Sequence, residues 1–476
     1  MVKFRIVIIC GGFGNRLWPL SSKQIPKQFI KLDNNKSLFQ LTVERALQIN
    51  NNRLIIVGNT EHRFLIKSQL IEIDEKISYE LIIEPLSKNT GPSILLASLC
   101  VLENSTDNLL IFSADHFVRN ESRFIKQIKQ AISNNLLEDQ LYLFGVKPTS
   151  PSTEYGYISV KKSKINKLFE LVNFKEKPSL EAAKKILKTN DTFWNSGIFY
   201  INPQTLINAY QKYNQKDFRH INNSWKSRYF DLGFIRPSEK NFKNVTNVSI
   251  DYAVVENSKK FNLKVFVYTL NCGWSDMGSF KQFKEYFRSD SNKNVVLGNA
   301  KLINSKNNFI YSKGKQVFAL DIDNMIVINN SENILIANIN KPESIISMYK
   351  KILTENPNLL DNYYNELRPW GSFQIIAEGK NFKVKKIVIK PLSKLSYQSH
   401  NHRNEHWVVV SGIATVKVNN QSARLKTDES MFIKKKQKHQ LINNHKSKNL
   451  EIIEVQTGDI LVESDIIRYE DYYGRS

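Results

Sequence analysis

The strongest constraint on this chain lies at its amino terminus, where an apolar run, Phe4 to Cys10, passes directly into Gly11-Gly12-Phe13-Gly14-Asn15-Arg16-Leu17. Such a run, ended by a glycine turn, reads as a strand buried on both faces of a parallel sheet. Glycines at the strand's end let backbone amides approach phosphate oxygens closely. The turn is not a P-loop, because no Gly-Lys-Ser/Thr follows. Nor is it a dinucleotide fingerprint, which needs glycine where Leu17 stands. The same run looks superficially like a signal peptide, but it is short and enters a glycine turn instead of a small-residue cleavage site.

Beyond this strand the pattern alternates. Strands are predicted at 53–57, 81–84, 109–113 and 142–146, and helices over 61–73 and 91–103. Ser37-Leu-Phe-Gln40 reads as a capping box opening a helix to about Ile49. This alternation predicts an α/β fold with a doubly wound, mostly parallel sheet. Insertions from Thr149 to about Thr246 add strands at 157–160, 168–175 and 197–201. Residues 288–340 break into short apolar pieces split by Asn, Ser, Lys and Gly, which reads as a small β coil, with a helix near 342–354. After Arg368-Pro369-Trp370-Gly371 come short strands separated by turns, the pattern of a small all-β sandwich or barrel. A chain of 476 residues is too long for one core. The expected domains are 1–287, a linker at 288–358, and 359–476.

Composition excludes several classes. No apolar run approaches a membrane span. Cys10, Cys100 and Cys272 lie far apart, which excludes a disulfide framework or thiolate cluster and fits a reducing, cytoplasmic compartment. The formal net charge is +23, yet lysine is spread along the chain, with only Lys434 to Lys436 as a tight run. A nucleic-acid partner is therefore not expected. A diffuse positive field still attracts anionic substrates such as nucleotides and sugar phosphates.

Two cations accompany the glycine turn: Arg16, and Lys27 within Pro26-Lys27-Gln28. Fixed cations beside a phosphate cradle suit a departing pyrophosphate. Asp115, in Ser113-Ala114-Asp115-His116, stands past the end of a predicted strand, where open α/β sheets bind ligands. Asp276, in Gly273-Trp274-Ser275-Asp276-Met277-Gly278, follows a strand predicted at 263–270. Two such carboxylates suit Mg²⁺ shared with substrate phosphates, and His116 reads as a hydrogen-bonded loop histidine. Near the other end, residues 398–406 gather Gln398, His400, His402, Glu405 and His406, a density that points to a transition metal such as Zn²⁺. In a straight strand Gln398, His400 and His402 share one face and Glu405 points away, so a turn must intervene to bring them together.

The motif GGFGNRLWPL with PKQF resembles the opening of the mannose-1-phosphate guanylyltransferases, in the long form fused to a type II phosphomannose isomerase domain. The likeness continues in order through Glu84-Pro85, Asn89-Thr90-Gly91-Pro92, SADH, Glu154-Tyr155-Gly156-Tyr157-Ile158, Phe174-Lys175-Glu176-Lys177-Pro178, Trp194-Asn195-Ser196-Gly197, Ser249-Ile250-Asp251-Tyr252-Ala253 and WSDMGS. It implies GTP and mannose 1-phosphate as substrates. Gly11, Gly12, Gly14, Asn15 and Arg16 would hold the nucleotide, Lys27 would stabilise developing charge, and Asp115 and Asp276 would hold Mg²⁺. Gly156, Glu176, Lys177, Asn195 and Asp251 would line the sugar site. Departures are Asn15 for Thr, Lys88 for Arg and Gly91 for Ala.

The second half resembles a cupin. Glu405 and Gly412 fit its spacing and select Gln398 and His400 as paired ligands, with His439 and Asn443 in the second motif. The family then implies interconversion of mannose 6-phosphate and fructose 6-phosphate, with His402 or His406 shuttling the proton and Arg403 binding substrate oxygens. Here the family's His triplet reads His400-Asn401-His402, and its Pro-x-Gly turn reads Lys434-Lys435-Lys436. An alternative reading keeps the transferase and makes the cupin domain structural or dimerising. A third, a basic nucleic-acid binder, leaves Lys27, Asp115 and Asp276 unexplained. The chain is expected to be a homo-oligomer.

Overall fold

Residues Phe4–Ile9 form strand β1, and their alternation sets the architecture of the first half. Val7 and Ile9 point into one apolar cluster, and Ile6, Ile8 and Cys10 into another, so both faces of the strand are covered. The computed structural model describes residues 3–470 and 473, except 13, 33–34, 134–139, 163–167, 190, 331–332, 357–359, 361–365 and 420. The chain separates into two units, Met1–Leu360 and Asp361–Ser476.

In the first unit, β1 is followed by α1 (Leu38–Ile49), β2 (Leu54–Asn59), α2 (Arg63–Ile73), β3 (Tyr79–Glu84), α3 (Thr90–Leu102) and β4 (Asn108–Ser113). The predicted capping box is present: the Gln40 N–H donates to Ser37 Oγ, and the Ser37 N–H to Gln40 Oε1. Strands β3, β2, β1 and β4 pair in parallel and in that order, so their carboxyl ends share one edge. After them come β5 (Phe117–Val118), α4 (Glu121–Ser133), β6 (Leu141–Val146), β7 (Tyr157–Lys162), β8 (Phe169–Lys175), β9 (Thr192–Ile201), β10 (Tyr229–Asp231), β11 (Phe234–Arg236), β12 (Val265–Leu270) and β13 (Trp274–Ser275). The sheet has eleven strands; β9 enters antiparallel between β4 and β6, and β12 returns parallel to β6.

Several elements differ from the sequence expectation, including helices at Leu180–Leu187, Pro203–Tyr213 and Gln215–Lys226 in the segment expected to add only strands. The structure adds α4, whose buried Phe124, Ile128, Ala131 and Ile132 lie at helical spacing. The strand leading into Asp276 is also not the long β12 but the two-residue β13. It pairs antiparallel with β5, Ser275 opposite Phe117 and Trp274 opposite Val118.

Residues 295–338 build a four-stranded sheet whose first three strands run parallel. Its asparagines close the turns. Asn304, Asn307 and Asn324 adopt positive φ, which asparagine tolerates better than most residues. Asn308 donates to Asn294 Oδ1 and accepts from the Met325 N–H. Val295, Phe309, Ile326 and Ile328 share a cluster with Leu17, Met277, Phe280 and Phe283, so this sheet supports the chain just after Arg16 and just after Asp276.

The second unit consists of two six-stranded antiparallel sheets facing each other across Trp370, Phe373, Ile387, Trp407, Val416, Leu441 and Ile452. Inward and outward residues alternate along Arg403–Ser411, where Arg403, Glu405, Trp407 and Val409 point in.

Gly91 shows why this chain departs from its resemblance. Its N–H donates to the Val248 carbonyl at 3.1 Å, and a Cβ there would lie 2.8 Å from that oxygen. Gly91→Ala is expected to lower the melting temperature, the backbone clash outweighing the helix propensity gained, which is about 1 kcal/mol at most. A rise in melting temperature would contradict this packing.

Candidate functional site

The glycine loop is held from behind by Gln28, whose amide donates to the carbonyls of Cys10 (3.0 Å) and Gly12 (3.2 Å). Gly12 (φ 105°) and Gly14 (φ 61°) take left-handed conformations. Gly11 and Gly12 are exposed, and a Cβ at Gly12 would meet nothing within 4 Å, so the turn opens to solvent. A Cβ at Gly14 would lie 2.8 Å from the Lys27 nitrogen, so only glycine allows the loop to press against that lysine. Asn15 starts a short 3-10 turn, Asn15–Leu17; its side chain, like Phe13, lies outside the described residues.

Lys27 is 7% exposed, and its ammonium reaches two loops. It pairs with Asp115 Oδ2 at 2.9 Å and donates to the backbone carbonyl of Asp276 at 2.5 Å. The β5–β13 ladder brings the two aspartate loops into register and explains this convergence. Burial would push the Asp115 carboxyl up, but Lys27, His116 and the Ser113 hydroxyl hold it well below the usual carboxylate range. Asp276 Oδ1 accepts from the Tyr155 hydroxyl (2.8 Å) and the Gly278 N–H (3.1 Å), and the Gln282 amide donates to the same hydroxyl at 2.6 Å. A Cβ at Gly278 would meet Asp276 Oδ2, Arg16 Nη1 and Glu154 Oε2 at 2.9, 3.0 and 3.1 Å. Arg16 thus stands beside Asp276 and pairs with Glu154 at 3.4 Å.

The next residues of the same turn lead to a second group. A Cβ at Gly156 would collide with Glu176 Oε2 at 2.6 Å, and Lys177 Nζ pairs with Glu176 at 3.1 Å. The Asn195 N–H donates to the Gly156 carbonyl at 2.8 Å, and its amide to Asp251 Oδ1 at 2.6 Å. Burial, with the Glu176 charge nearby, pushes the Asp251 carboxyl up to about 7. The structure therefore brings Gly156, Glu176, Lys177, Asn195 and Asp251 together. His116 stands between the groups, edge-on to Trp274 at 5.1 Å, with its ring 3.3 Å from where a Cβ on Gly197 would sit.

In the second unit, strand Tyr397–His400 ends and strand Arg403–Ser411 begins after only two residues, which supplies the required turn. His400 Nε2 lies 3.0 Å from Glu405 Oε1, and His439 Nε2 lies 3.5 Å from Glu405 Oε2. Ligand atoms of His400, Glu405 and His439 all fall within 4.8 Å of one another, and all three residues are buried. Gln398 is the register partner of His439, and its amide is 3.5 Å from His400 Nε2. The ring nitrogen Nδ1 of His439 is 2.9 Å from the Gln437 carbonyl. A ring that donates there leaves its lone pair on Nε2, facing Glu405, as metal ligation requires. Two imidazoles, a carboxylate and an amide so gathered fit a divalent transition metal.

Arg403 Nε donates to Glu405 Oε1 at 3.1 Å. His402 is half exposed and bound to Asp465 at 2.7 Å. His406 is not brought into the group: strand alternation turns it outward against Phe432. Asn443 ties down the carbonyls of Ile389, Lys390 and Lys448. The tri-lysine segment keeps a tight turn, with Lys436 at φ 66° donating its N–H to the His400 carbonyl at 2.7 Å.

Residues 5–293 match the nucleotidyl transferase family, and residues 355–471 match the mannose-6-phosphate isomerase C-terminal family. The mannose-1-phosphate guanylyltransferase of Salmonella montevideo is 36% identical over 477 residues, covering 99% of each chain. That of Salmonella muenchen is 34% identical over 100% of this chain and 99% of its own. The chain belongs to the mannose-1-phosphate guanylyltransferase family. A crystal structure described as mannose-1-phosphate geranyltransferase from Thermus thermophilus shares the fold, with TM-score 0.64 and 24% identity over 74% of this chain and 99% of that one.

The sequence of this guanylyltransferase-family chain pointed to the glycine loop, the lysine and both aspartates; Gln28, Glu154 and Tyr155 stood within quoted motifs without a supporting role, and Gln282 was not named. Nor was Glu84 singled out beyond its motif. Glu84 ends β3 and is buried, and it accepts from the Ser93 hydroxyl at 2.8 Å; burial pushes its carboxyl up to about 8. A raised carboxyl makes ionisation work against folding, so the fold loses stability as pH climbs from 4.5, the ordinary value, toward 8, and loses no more above it. Glu84→Gln keeps the acceptor without the charge. Its melting-temperature gain over wild type should grow across that window, by up to about 1.4 kcal/mol of stability per pH unit. A pH-independent difference would contradict a buried, neutral Glu84.

Proposed function

We propose that the first unit transfers GMP from GTP to mannose 1-phosphate, giving GDP-mannose and pyrophosphate, and that the second interconverts mannose 6-phosphate and fructose 6-phosphate. The observation that carries the first reading is the Lys27 ammonium, which touches both aspartate loops beside an open glycine turn. A single protein cation in contact with both loops supports the view that Asp115 and Asp276 can share a metal ion. Bound there, Mg²⁺ would neutralise triphosphate charge.

On this reading a phosphate oxygen of mannose 1-phosphate attacks the α-phosphorus of GTP in line, and pyrophosphate leaves from the opposite side. The nucleophile is already an anion, so the protein supplies positioning and charge and no general base. Backbone amides of Gly11, Gly12 and Gly14 cradle the phosphates, Arg16 and Lys27 meet the developing negative charge, and Asn15 contacts the nucleotide. Gly156, Glu176, Lys177, Asn195 and Asp251 hold the sugar phosphate. The choice of guanine and of mannose is supported by the family alone. The three buried free thiols accord with a cytoplasmic setting, where GTP and sugar phosphates are found.

The isomerase reading is supported by the buried His400, Glu405 and His439 group with Gln398 alongside. A divalent metal held there, Zn²⁺ or similar, would polarise the sugar oxygens. Arg403 would steady the substrate side of Glu405.

Offering the purified protein all four nucleoside triphosphates with several sugar 1-phosphates, and measuring pyrophosphate release, tests the transferase. GTP with mannose 1-phosphate should stand out; release with none of the pairs contradicts the assignment. Lys27→Ala should lower kcat by roughly 10²-fold or more, as removal of other fixed transition-state donors does. Near-normal turnover in that variant would take Lys27 out of the mechanism.

A further inference from the structure

One buried carboxylate in the second unit has no part in the metal group. Glu454 lies on strand Leu450–Gly458, where Leu450, Ile452, Glu454 and Gln456 alternate inward. It lines the same pocket as Gln398, Arg403 and Glu405, and it is 4% exposed. The Trp407 indole N–H donates to its Oε2 at 2.9 Å, and the Gln456 amide to its Oε1 at 2.7 Å, so the carboxylate is fixed in place. Among the described residues Glu454 forms no ion pair; Lys385, which lines the same pocket, is bonded to Glu463 at 2.9 Å. Lys385 and Arg403 act on Glu454 only from a distance, being bonded to Glu463 and Glu405, and a buried acid without a direct ion pair costs stability that an aliphatic residue at this inward position would not. That cost calls for a function.

Arg368, paired with Glu366, lines the same pocket with Lys385 and Arg468, and these cations make it attractive to a phosphate. Gln398 and Glu405 of the metal-ligand group lie along the same lining as Glu454. The other candidates for proton transfer sit elsewhere: His406 faces outward, and His402 is half exposed and engaged by Asp465.

We propose that Glu454 is the catalytic base of the isomerase pocket, a role that rests on the isomerase reading above. Its carboxylate takes the proton from C2 of open-chain mannose 6-phosphate. The C2–H electron pair becomes the C1=C2 bond, and the carbonyl π pair moves onto O1. The O2 proton passes to O1, the carbonyl re-forms at C2, and the protonated Glu454 returns its proton to C1, giving fructose 6-phosphate. No oxidant or reductant is consumed. Trp407 and Gln456 are positioning residues that hold the carboxylate.

The test uses the full, metal-loaded chain. Glu454→Gln should keep the wild-type metal content and melt no lower than wild type. It should lose mannose 6-phosphate turnover by roughly 10²-fold or more, the usual scale for a general base, and with it the exchange of the C2 hydrogen for solvent deuterium. Wild-type turnover and exchange in that variant overturn the proposal. If Glu454→Gln loses metal, Glu454→Asp decides: slowed exchange at full metal content supports the proposal, and unchanged exchange overturns it. A metal-loaded wild-type chain that never converts mannose 6-phosphate removes the isomerase reading itself, and the role of Glu454 with it.

Discussion

The Lys27 ammonium is the hinge of the first unit's site. A lysine this buried must satisfy its charge inside the protein, and it does so on Asp115 and on the Asp276 carbonyl at once. Each contact restrains a different loop. The glycine turn is restrained as well, because Gly14 packs on the Lys27 backbone and Gln28, the next residue, holds the Cys10 and Gly12 carbonyls. Phosphate cradle, cation and acidic pair therefore form one mechanical assembly, and moving any one of them disturbs the others. On the proposed reading, Asp115 and Asp276 would hold a divalent cation with the bound triphosphate, and Lys27 would then turn toward phosphate oxygens.

That assembly is held by apolar packing beneath it. Leu17 follows Arg16 and Met277 follows Asp276, and both sink into the cluster formed with Phe280, Phe309 and Ile326. The β sheet at residues 295–338 is thus a floor for the site. It buries Leu17 and Met277, the hydrophobic neighbours of Arg16 and Asp276. The second unit solves a similar problem with strand alternation. Arg403, Glu405 and Trp407 point into its core from one strand, and Glu454 and Gln456 from the neighbouring one, so a polar group is built within an otherwise apolar interior. Hydrogen bonds among them satisfy what burial would leave unpaired.

Much of this was legible in the residues. The apolar run into glycines located β1 and the turn, the capping box located α1, and the resemblance to a cupin motif, through Glu405 and Gly412, pointed to His400 and Gln398. Those signals are local, and local periodicity survives folding. The rest depends on contacts that no period encodes. β13 has two residues and no pattern of its own; only its pairing with β5 brings Asp276 to Asp115. Tyr155 reaches Asp276 across 121 positions of sequence. Glu454 leaves a trace in the sequence, since an acid and an amide occupy inward positions of a strand that is otherwise apolar inside. α4 had a full helical stripe at Phe124, Ile128, Ala131 and Ile132 and was legible in principle.

The proposed function is spatial at its centre: Asp115 and Asp276 would hold one divalent cation, and with it a triphosphate, beside the glycine turn. Crystals grown with Mn²⁺ and a non-hydrolysable GTP analogue would test it through the anomalous signal of manganese. The account predicts a peak within coordination distance of both carboxylates, with Lys27 turned onto the phosphates. A manganese ion bound to the nucleotide but contacting neither aspartate would contradict it.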